Sequence, residues 1–259
     1  MTALTASMNI APPTIPARRT GVLGVIDPIP LPAHGAYGLE YDSTNCVTYD
    51  SPVNFDPVGG PNDVLCVVSS TAVSGIDATT SATFFVRAGV ACGPLFAYSE
   101  AEWAAKARAA LDSIEDVALS NWFGAWLAEI ATGVPAASSM TDAVGDLEDY
   151  FYSDYGPWGV LWASAGAIER GFNEHVLVRE NGKVVTGLGT PVALLPGSAA
   201  NLDPALVFLS GWPTVYRGES VVAAAPNIET NQFLSEAQRL YVGLIDCNRV
   251  MGRTLAALP

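Results

Sequence analysis

Positively charged residues are scarce in this chain of 259 residues. Twelve lysines and arginines stand against 26 aspartates and glutamates, which gives a net charge of −14 at pH 7. No lysine or arginine occurs between Arg19 and Arg87, and the only lysines are Lys106 and Lys183. A surface of this sign repels polyanions, so tight binding of nucleic acid is not expected.

Charged residues of either sign are also few, at 15% of the chain, whereas hydrophobic residues make up 50%. Soluble globular proteins carry about 25% charged residues. No apolar run approaches the ~18 consecutive residues of a membrane helix, so a membrane partner is not expected. Contacts with other protein subunits are therefore predicted to cover the surplus apolar surface.

The sequence lacks the usual motifs of metal binding, phosphate binding and catalysis. Its four cysteines form no C-x-x-C pair, and its two histidines, His34 and His175, are far apart. No glycine-rich phosphate loop occurs, and the N-terminus lacks the pattern of a secretion signal. We therefore predict no catalytic, cofactor-binding or metal-binding residue, no cofactor and no enzyme. The cysteines are predicted to be reduced and mostly buried, with one or two disulfides as the alternative; they are Cys46, Cys66, Cys92 and Cys247.

Three groups of residues could have a catalytic or binding role, and for each of them we favour a structural role instead. Ser164, in W-A-S-A-G, resembles a nucleophile elbow without its first glycine, and we favour a serine at a strand end. A carboxylate cluster favours a solvated helix face over a cation site; it comprises Asp142, Asp146, Glu148, Asp149 and Asp154. An aromatic cluster favours core or interface anchors over a carbohydrate platform; it comprises Tyr150, Phe151, Tyr152, Tyr155, Trp158 and Trp162.

The first 85 residues look poorly suited to a self-contained core. Residues 1–20 read as an extended arm, and the prolines at 28, 30 and 32 exclude a helix or a central strand. Such a segment can dock on a neighbouring subunit. Residues 36–85 are rich in turn-forming and acidic residues, and they predict a long, mostly β excursion.

A long helix is the strongest local signal. Ser99 and Glu102 form a capping box, and helical spacing continues from about residue 100 to about 130, with an interruption at Gly124. The predicted apolar stripe contains Trp103, Ala107, Ala110, Leu111, Ile114, Val117 and Ala118. The predicted polar face contains Lys106, Arg108, Asp112, Glu115 and Asp116.

Shorter elements follow this helix. A second helix is predicted at about 141–153, capped by Thr141 or Asp142, then a buried strand at 159–164 and a short helix. Asn181-Gly182 predicts a hairpin turn. Three further strands are expected, and residues 232–255 predict a long terminal strand or a strand pair.

The order of these elements resembles the major capsid proteins of tailed bacteriophages, which have the Hong Kong 97-type fold shared with encapsulins. The resemblance lies in AEWAAKARAALDSIEDVALSNWFG (101–124), NGKVVTGLGTPVALLPGS (181–198) and EAQRLYVGLIDCNRV (236–250). Capsid proteins of actinobacterial phages look especially similar. The resemblance implies an α+β fold with an N-terminal arm (1–35), an extended β loop (36–86), a peripheral domain with the spine helix (87–138 and 223–259) and an axial domain (139–222).

The implied function is self-assembly into pentamers and hexamers of an icosahedral phage head that encloses double-stranded DNA. The implied partners are identical subunits, with decoration, portal and scaffolding proteins as further candidates. Arg18 and Arg19 supply at most weak, non-specific contact with packaged DNA. The implied location is the virion, after assembly in the cytoplasm of the host bacterium.

One feature departs from part of that family, in which a lysine of the extended loop joins an asparagine of a neighbour. Residues 36–86 contain no lysine, so that crosslink is excluded. Arm exchange, loop packing, a decoration protein or disulfides through Cys46 or Cys66 are the alternatives. The acidic loop is a candidate partner for arginines of a neighbour; the candidates are Arg87, Arg108, Arg239 and Arg249.

Three other functions stay open at this point. An encapsulin-like shell has the same fold but encloses protein cargo. A minor virion protein, in decoration or at the head, is a further alternative. A secreted hydrolase or carbohydrate-binding protein would use the aromatic cluster, but the sequence shows neither a signal segment nor a histidine-based catalytic set.

Overall fold

The computed structural model describes residues 19–33, 40–41, 79–80, 82–92, 99–133, 136–154, 159–196, 205–227, 232–246 and 250–256. Its helices are α1 (Val22–Val25), α2 (Glu100–Ile130), α3 (Met140–Asp154) and α4 (Ala165–Asn173). Its strands are β1 (Ile29–Pro30), β2 (Glu40–Tyr41), β3 (Thr79–Thr80), β4 (Ala82–Cys92), β5 (Ala136–Ala137), β6 (Val160–Ser164), β7 (Leu177–Glu180), β8 (Lys183–Thr186), β9 (Val192–Leu195), β10 (Leu206–Ser210), β11 (Pro213–Asn227), β12 (Gln232–Ile245) and β13 (Val250–Leu255).

The first sheet has the strand order β1-β11-β12-β4. β11 and β12 form a long antiparallel hairpin, and β4 pairs antiparallel with the other side of β12. β1 joins the free edge of β11 over only two residues, where Ile29 lies opposite Tyr216. Proline cannot donate to a sheet ladder, which confines the proline-spaced segment to this edge and agrees with the predicted exclusion of a central strand. The predicted exclusion of a helix is wrong for Val22–Val25, which form α1 ahead of the first of these prolines.

The spine helix, α2, lies across this sheet. It begins as predicted, because Ser99 N donates to Glu102 Oε2 (2.7 Å) and Glu102 N donates to Ser99 Oγ (3.3 Å). It then runs for 31 residues, about 45 Å at 1.5 Å per residue. The predicted interruption at Gly124 is wrong. Gly124 is buried inside an unbroken helix, since packing of Phe123 and Leu127 outweighs the roughly 1 kcal/mol that a helical glycine costs.

The second sheet has the strand order β5-β13-β10-β6-β9 and is covered on both sides. β6 is buried along its whole length, as predicted for residues 159–164. Trp162 and Phe208 pack into the core that contains the spine helix, whereas Leu161 and Val207 pack against α3. Because side chains alternate along each strand, the two faces of this sheet contribute to two separate hydrophobic cores.

Two details of the remaining elements differ from the prediction. α3 is capped by Ser139 rather than by Thr141 or Asp142, because Asp142 N donates to Ser139 Oγ (2.9 Å). The predicted terminal strand pair is two strands that belong to different sheets, β12 in the first and β13 in the second. The hairpin β7–β8 turns at Asn181 and Gly182 as predicted, with φ values of 50° and 81°.

Part of the N-terminal region packs on its own chain. Val22, Leu23 and Ile26 are buried against the spine helix, and β4 places residues 82–86 in the first sheet. The expectations for residues 1–18 and for most of the extended loop fall outside the described residues. Three cysteines and the Cys92 side chain also fall outside them, so the expected thiol state stays a prediction. Among the described residues, no helix combines the length and the apolar character needed to cross a bilayer.

Candidate functional site

The middle of the spine helix turns two carboxylates toward the interior. Glu115 is only 1% exposed and Asp116 is also buried, although both were predicted on the polar face. Conversely, Ile114 and Val117, predicted in the buried stripe, are 40% and 50% exposed. The prediction was wrong because it assigned charge to solvent, whereas each carboxylate has its own set of buried donors.

Glu115 is held by two arginines and a tyrosine of the hairpin, and with Asp112 these residues form what we call the Glu115 clamp. Arg217 Nε lies 2.7 Å from Glu115 Oε1, and its Nη2 donates to Oε2 at 3.0 Å. Arg239 Nη1 donates to Oε1 at 2.9 Å, and the Tyr241 hydroxyl donates to the same oxygen. Asp112 Oδ1 accepts from both arginines, at 3.1 Å from Arg239 and 3.4 Å from Arg217. The clamp therefore ties the helix to both strands of the hairpin.

The charges within the clamp balance. Two carboxylates face two guanidinium groups, and burial, helped by the hydrogen bond to Glu115, raises the pKa of Tyr241. The phenol therefore stays protonated and acts as a donor. A buried ion pair is tolerated when its polar atoms have partners, and removing one member strands an uncompensated charge. Arg239, a predicted partner for a neighbouring subunit, is thus engaged within its own chain.

The clamp sits at an irregularity of the hairpin. Arg217 pairs with Tyr241, and the next regular pair is Ser220 with Arg239. Gly218 and Glu219 therefore oppose the single residue Leu240, which is a β-bulge. A bulge bends its strand and increases the local twist, so a bend of the hairpin is expected beside Glu115.

Asp116, one residue further along the helix, holds the chain of the N-terminal arm. Its Oδ2 accepts from Thr20 N and Gly21 N, each at 2.8 Å, and its Oδ1 accepts from Leu23 N at 2.9 Å. Ser120 Oγ accepts from Val22 N at 3.0 Å. We call this arrangement the arm anchor. It supplies acceptors to four successive amides at the start of α1, which have no acceptors within so short a helix.

The arm anchor leaves no space for a side chain at residue 21. A Cβ atom built on Gly21 would lie 1.9 Å from Ser120 Oγ. The carbonyl of Thr20 also accepts from Leu194 N in β9 (2.9 Å), which links the arm to the second sheet. The arm segment therefore joins the spine helix to both sheets of its own chain.

The side of the first sheet that faces away from the spine helix exposes several large apolar side chains. Residues of β12 alternate, so Arg239 and Tyr241 face the helix whereas Leu234 and Leu240 face away. Phe85, Val221 and Leu234 are 58%, 59% and 41% exposed. We call this surface the outer sheet face; its residues are Phe85, Val221, Ala223, Leu234 and Leu240. The same surface carries the ion pair of Arg87 and Glu236, whose Nε and Oε1 are 3.8 Å apart.

The remaining candidate arginines differ in position. Arg108 is exposed on the spine helix, and Arg87 pairs within the first sheet. Arg249 lies outside the described residues. Pairing of Arg87 or Arg108 with an acidic neighbour therefore stays a prediction.

Three carboxylates of α3 have separate partners, whereas Asp149 is exposed and the side chain of Asp154 lies outside the described residues. Asp142 accepts from the Ser138 hydroxyl, and this hydrogen bond lowers the pKa of Asp142. Glu148 Oε1 accepts from Thr186 Oγ1 (2.5 Å) and Thr190 Oγ1 (2.6 Å), which fixes the loop after β8. Asp146 Oδ2 lies 3.6 Å from Arg253 Nε. Within the part of the chain that the structure describes, no three metal-ligating side chains converge.

An ion pair between Arg170 and Glu174 at the end of α4 is linked to two other segments of the chain, which contain Ser138 and Ala256. Arg170 Nε donates to Glu174 Oε1 (2.7 Å), and its Nη1 and Nη2 donate to the carbonyls of Ala256 and Ser138. Thr141 N donates to Glu174 Oε2 at 2.8 Å. Burial acts to raise the pKa of Glu174, but the hydrogen bonds from Arg170 and Thr141 outweigh it and leave the pKa lowered.

The serine and the aromatic cluster have structural positions. Ser164 caps α4, since its Oγ accepts from Ala167 N at 3.2 Å. Trp162 is buried, stacks on Phe123 with ring centroids 5.3 Å apart, and donates to Ser210 Oγ at 2.7 Å. Phe151 is buried, Tyr150 and Tyr152 are exposed, and Tyr155 and Trp158 lie outside the described residues. The described members therefore do not form one platform.

The sequence did contain a signal for the Glu115 clamp. The buried row of the spine helix recurs at every fourth residue; it is Trp103, Ala107, Leu111, Glu115, Leu119, Phe123 and Leu127. Glu115 stands in the centre of this row, where a lone carboxylate requires buried cationic partners. The arginines that supply them are more than one hundred residues away. The spacing could therefore predict that Glu115 is buried, but not which residues pair with it.

Comparison with known proteins bears on the whole chain. No protein-family model matches the sequence, and no curated protein matches it. A solved structure from Microbacterium phage Oxtober96 is 11% identical over 98% of this chain and 97% of that chain, with a TM-score of 0.54. The mature capsid of bacteriophage PhiM1 is 9% identical over 100% and 93%, with a TM-score of 0.53. The capsid of a native GTA particle is 14% identical over 98% and 96%, with a TM-score of 0.52. The chain therefore has the α+β, Hong Kong 97-type fold of phage capsid subunits.

Proposed function

We propose that this chain is the shell-forming subunit of an icosahedral phage head, assembled as pentamers and hexamers around double-stranded DNA. The observation that carries the proposal is the agreement in fold with capsid subunits over 98–100% of this chain. A shared fold alone does not specify function, so the apolar outer sheet face and the charge of the chain supply independent support. The proposed location is the virion, following assembly in the cytoplasm of a bacterial host.

The outer sheet face supports self-assembly. Phe85, Val221 and Leu234 lie on one side of the first sheet and are 41–59% exposed. Full burial of such a side chain contributes roughly 1.5–3 kcal/mol, so repeated contacts of this kind hold a shell together. Identical subunits are the simplest cover, because closed shells repeat one surface pairing many times.

The proposed regions follow the resemblance. The arm covers residues 1–35, the extended loop 36–86, the peripheral domain 87–138 and 223–259, and the axial domain 139–222. Within this scheme the arm anchor fixes residues 20–23 of the arm on their own subunit.

The charge of the chain suits a container for DNA. A net charge of −14 disfavours adhesion of the genome to the wall and leaves the DNA free to move during packing. Decoration, portal and scaffolding proteins are the further proposed partners. Strong binding of the purified subunit to duplex DNA at physiological salt would argue against this reading of the charge.

Expression of the full chain, followed by negative-stain electron microscopy, tests the proposal. Shells, tubes or rings of five and six subunits are expected. Nuclease treatment of purified virions removes DNA outside the shell, and extraction of the treated particles then shows whether they enclose DNA or protein. A species that stays monomeric in size-exclusion chromatography over a wide range of concentrations would refute the assembly function.

A further inference from the structure

We propose that the Glu115 clamp holds the bend of the long hairpin at its bulge and thereby sets the curvature, and so the diameter, of the shell. The inference rests on the proposed function. It assigns a positioning role to Arg217 and Arg239, which touch no neighbouring subunit in this proposal and act through the angle of the hairpin.

The bend has a defined location. Two residues of β11, Gly218 and Glu219, oppose Leu240 of β12, whereas β4 pairs with β12 past this point without a shift in register. A Cβ atom on Gly218 would lie 3.1 Å from the Leu240 carbonyl oxygen, which is a tight approach. The extra residue is therefore confined to one side of the sheet, and this asymmetry bends the hairpin.

The clamp spans the bend. Arg217 is the last residue of β11 before the bulge, and Arg239 lies opposite the first residue after it. Both guanidinium groups contact Glu115, at 2.7 Å from Arg217 and 2.9 Å from Arg239. Glu115 belongs to a helix whose neighbouring residues Leu111 and Leu119 are fully buried. One rigid carboxylate thus fixes the direction of the strands on both sides of the bulge.

The Glu115 clamp is better suited to fix one conformation of the hairpin than to raise the free energy of unfolding. A buried ion pair contributes little net stability relative to apolar packing, because removing the charges from water offsets their attraction. The contact of Arg217 with Glu115, however, tolerates little change in angle, since its Nε and Nη2 meet the two carboxylate oxygens at once. Arg239 uses a single nitrogen, Nη1, which donates to both Glu115 Oε1 and Asp112 Oδ1. Geometry is therefore the property that these residues supply.

The distal hairpin turns a small change of angle into a large displacement. Eight residues of β11 follow the bulge, from Ser220 to Asn227, and extend about 25 Å at 3.3 Å per residue. A change of about 10° in the bend would move the tip by about 4 Å over that length. The outer sheet face, with Val221 and Leu234, lies on this moving part. In a shell of identical contacts, such a shift changes the angle between adjacent subunits and hence the size at which the shell closes.

Three variants test the inference, with particle diameter measured by cryo-electron microscopy. Arg217→Lys keeps the charge but removes the two-atom contact with Glu115. Arg239→Lys keeps the charge but replaces the planar guanidinium, whose Nη1 joins Glu115 and Asp112, by an ammonium. Deletion of Glu219 leaves every clamp residue in place and converts the bulge into regular pairing, because Gly218 then opposes Leu240 alone. Arg253→Lys is the matched control, since Arg253 also lies on a strand beside a carboxylate, Asp146, but belongs to the second sheet. Circular dichroism and thermal unfolding establish that each variant folds.

We expect the wild type and Arg253→Lys to share one diameter, and the three test variants to form shells of shifted or mixed diameter, or open tubes. Folded test variants with the wild-type diameter overturn the inference, as do folded variants that stay unassembled. Should all three fail to fold, the clamp is a stability element and the inference is rejected. Failure of the wild type itself to assemble counts instead against the proposed function.

Discussion

The arm anchor yields a prediction whose magnitude follows from its hydrogen bonds. In Asp116→Ala, three backbone amides lose their acceptor, and two of them, Gly21 N and Leu23 N, are buried. A buried donor left without a partner costs about 1–3 kcal/mol, so the native arrangement becomes less favourable by about 2–6 kcal/mol. The alternative is that the arm detaches from the spine helix, because water can then accept hydrogen bonds from these amides.

Detachment has its own cost, which limits the loss. It exposes Val22, Leu23 and Ile26, whose burial contributes roughly 1.5–3 kcal/mol each. Together these come to about 4.5–9 kcal/mol, more than the roughly 2–6 kcal/mol lost at the amides. We therefore expect Asp116→Ala to raise the population in which residues 19–26 are locally open, while the closed form stays the major one. Asp116→Asn keeps one carbonyl oxygen and should open the arm less.

Hydrogen exchange followed by mass spectrometry measures this effect directly. Exchange in residues 19–26 should rise strongly in Asp116→Ala, less in Asp116→Asn, and remain unchanged in β10 of the second sheet. Asp149→Ala, which alters an exposed carboxylate of α3, is the control. Unchanged protection of residues 19–26 in Asp116→Ala would show that the carboxylate does not hold the arm.

Further predictions concern other parts of the subunit. Ser99→Ala should lower the free energy of unfolding by about 1 kcal/mol in urea titrations, since it removes the cap of the spine helix, and an unchanged midpoint contradicts this role. Because the folded pKa of Glu174 lies below its usual value of 4.5, its contact with Arg170 stabilises the fold above that pH and weakens as pH falls through the folded pKa. The stability difference between wild type and Glu174→Gln should therefore be present at pH 7 and shrink in acid, and a difference that grows in acid would reverse the assignment. Val221→Asp should raise the concentration needed for assembly by about tenfold or more, about 1.4 kcal/mol per contact, whereas Val221→Thr keeps the shape and should have a smaller effect in light-scattering assays.

Local patterns carried much of the secondary structure. The capping box at Ser99 and the pair Asn181-Gly182 work within a few residues, and their hydrogen bonds and backbone angles do not depend on distant parts of the chain. The buried strand β6 and the edge position of the proline-spaced segment were also predictable, because apolar runs and missing amide donors constrain pairing directly. The low charge and the order of the elements, both properties of the sequence, likewise indicated a shell subunit.

Tertiary structure alone decided which side of the spine helix is buried at its centre. The sequence predicted that Glu115 and Asp116 face water and that Ile114 and Val117 lie in the core. The structure shows the reverse, because the hydrogen-bond donors for both carboxylates come from residues 93–126 positions away in the chain. The bulge at Gly218 and the division of the last two strands between two sheets have the same cause. Pairing partners, unlike caps and turns, are chosen by the whole fold, since a strand's hydrogen bonds are completed only by another segment of chain.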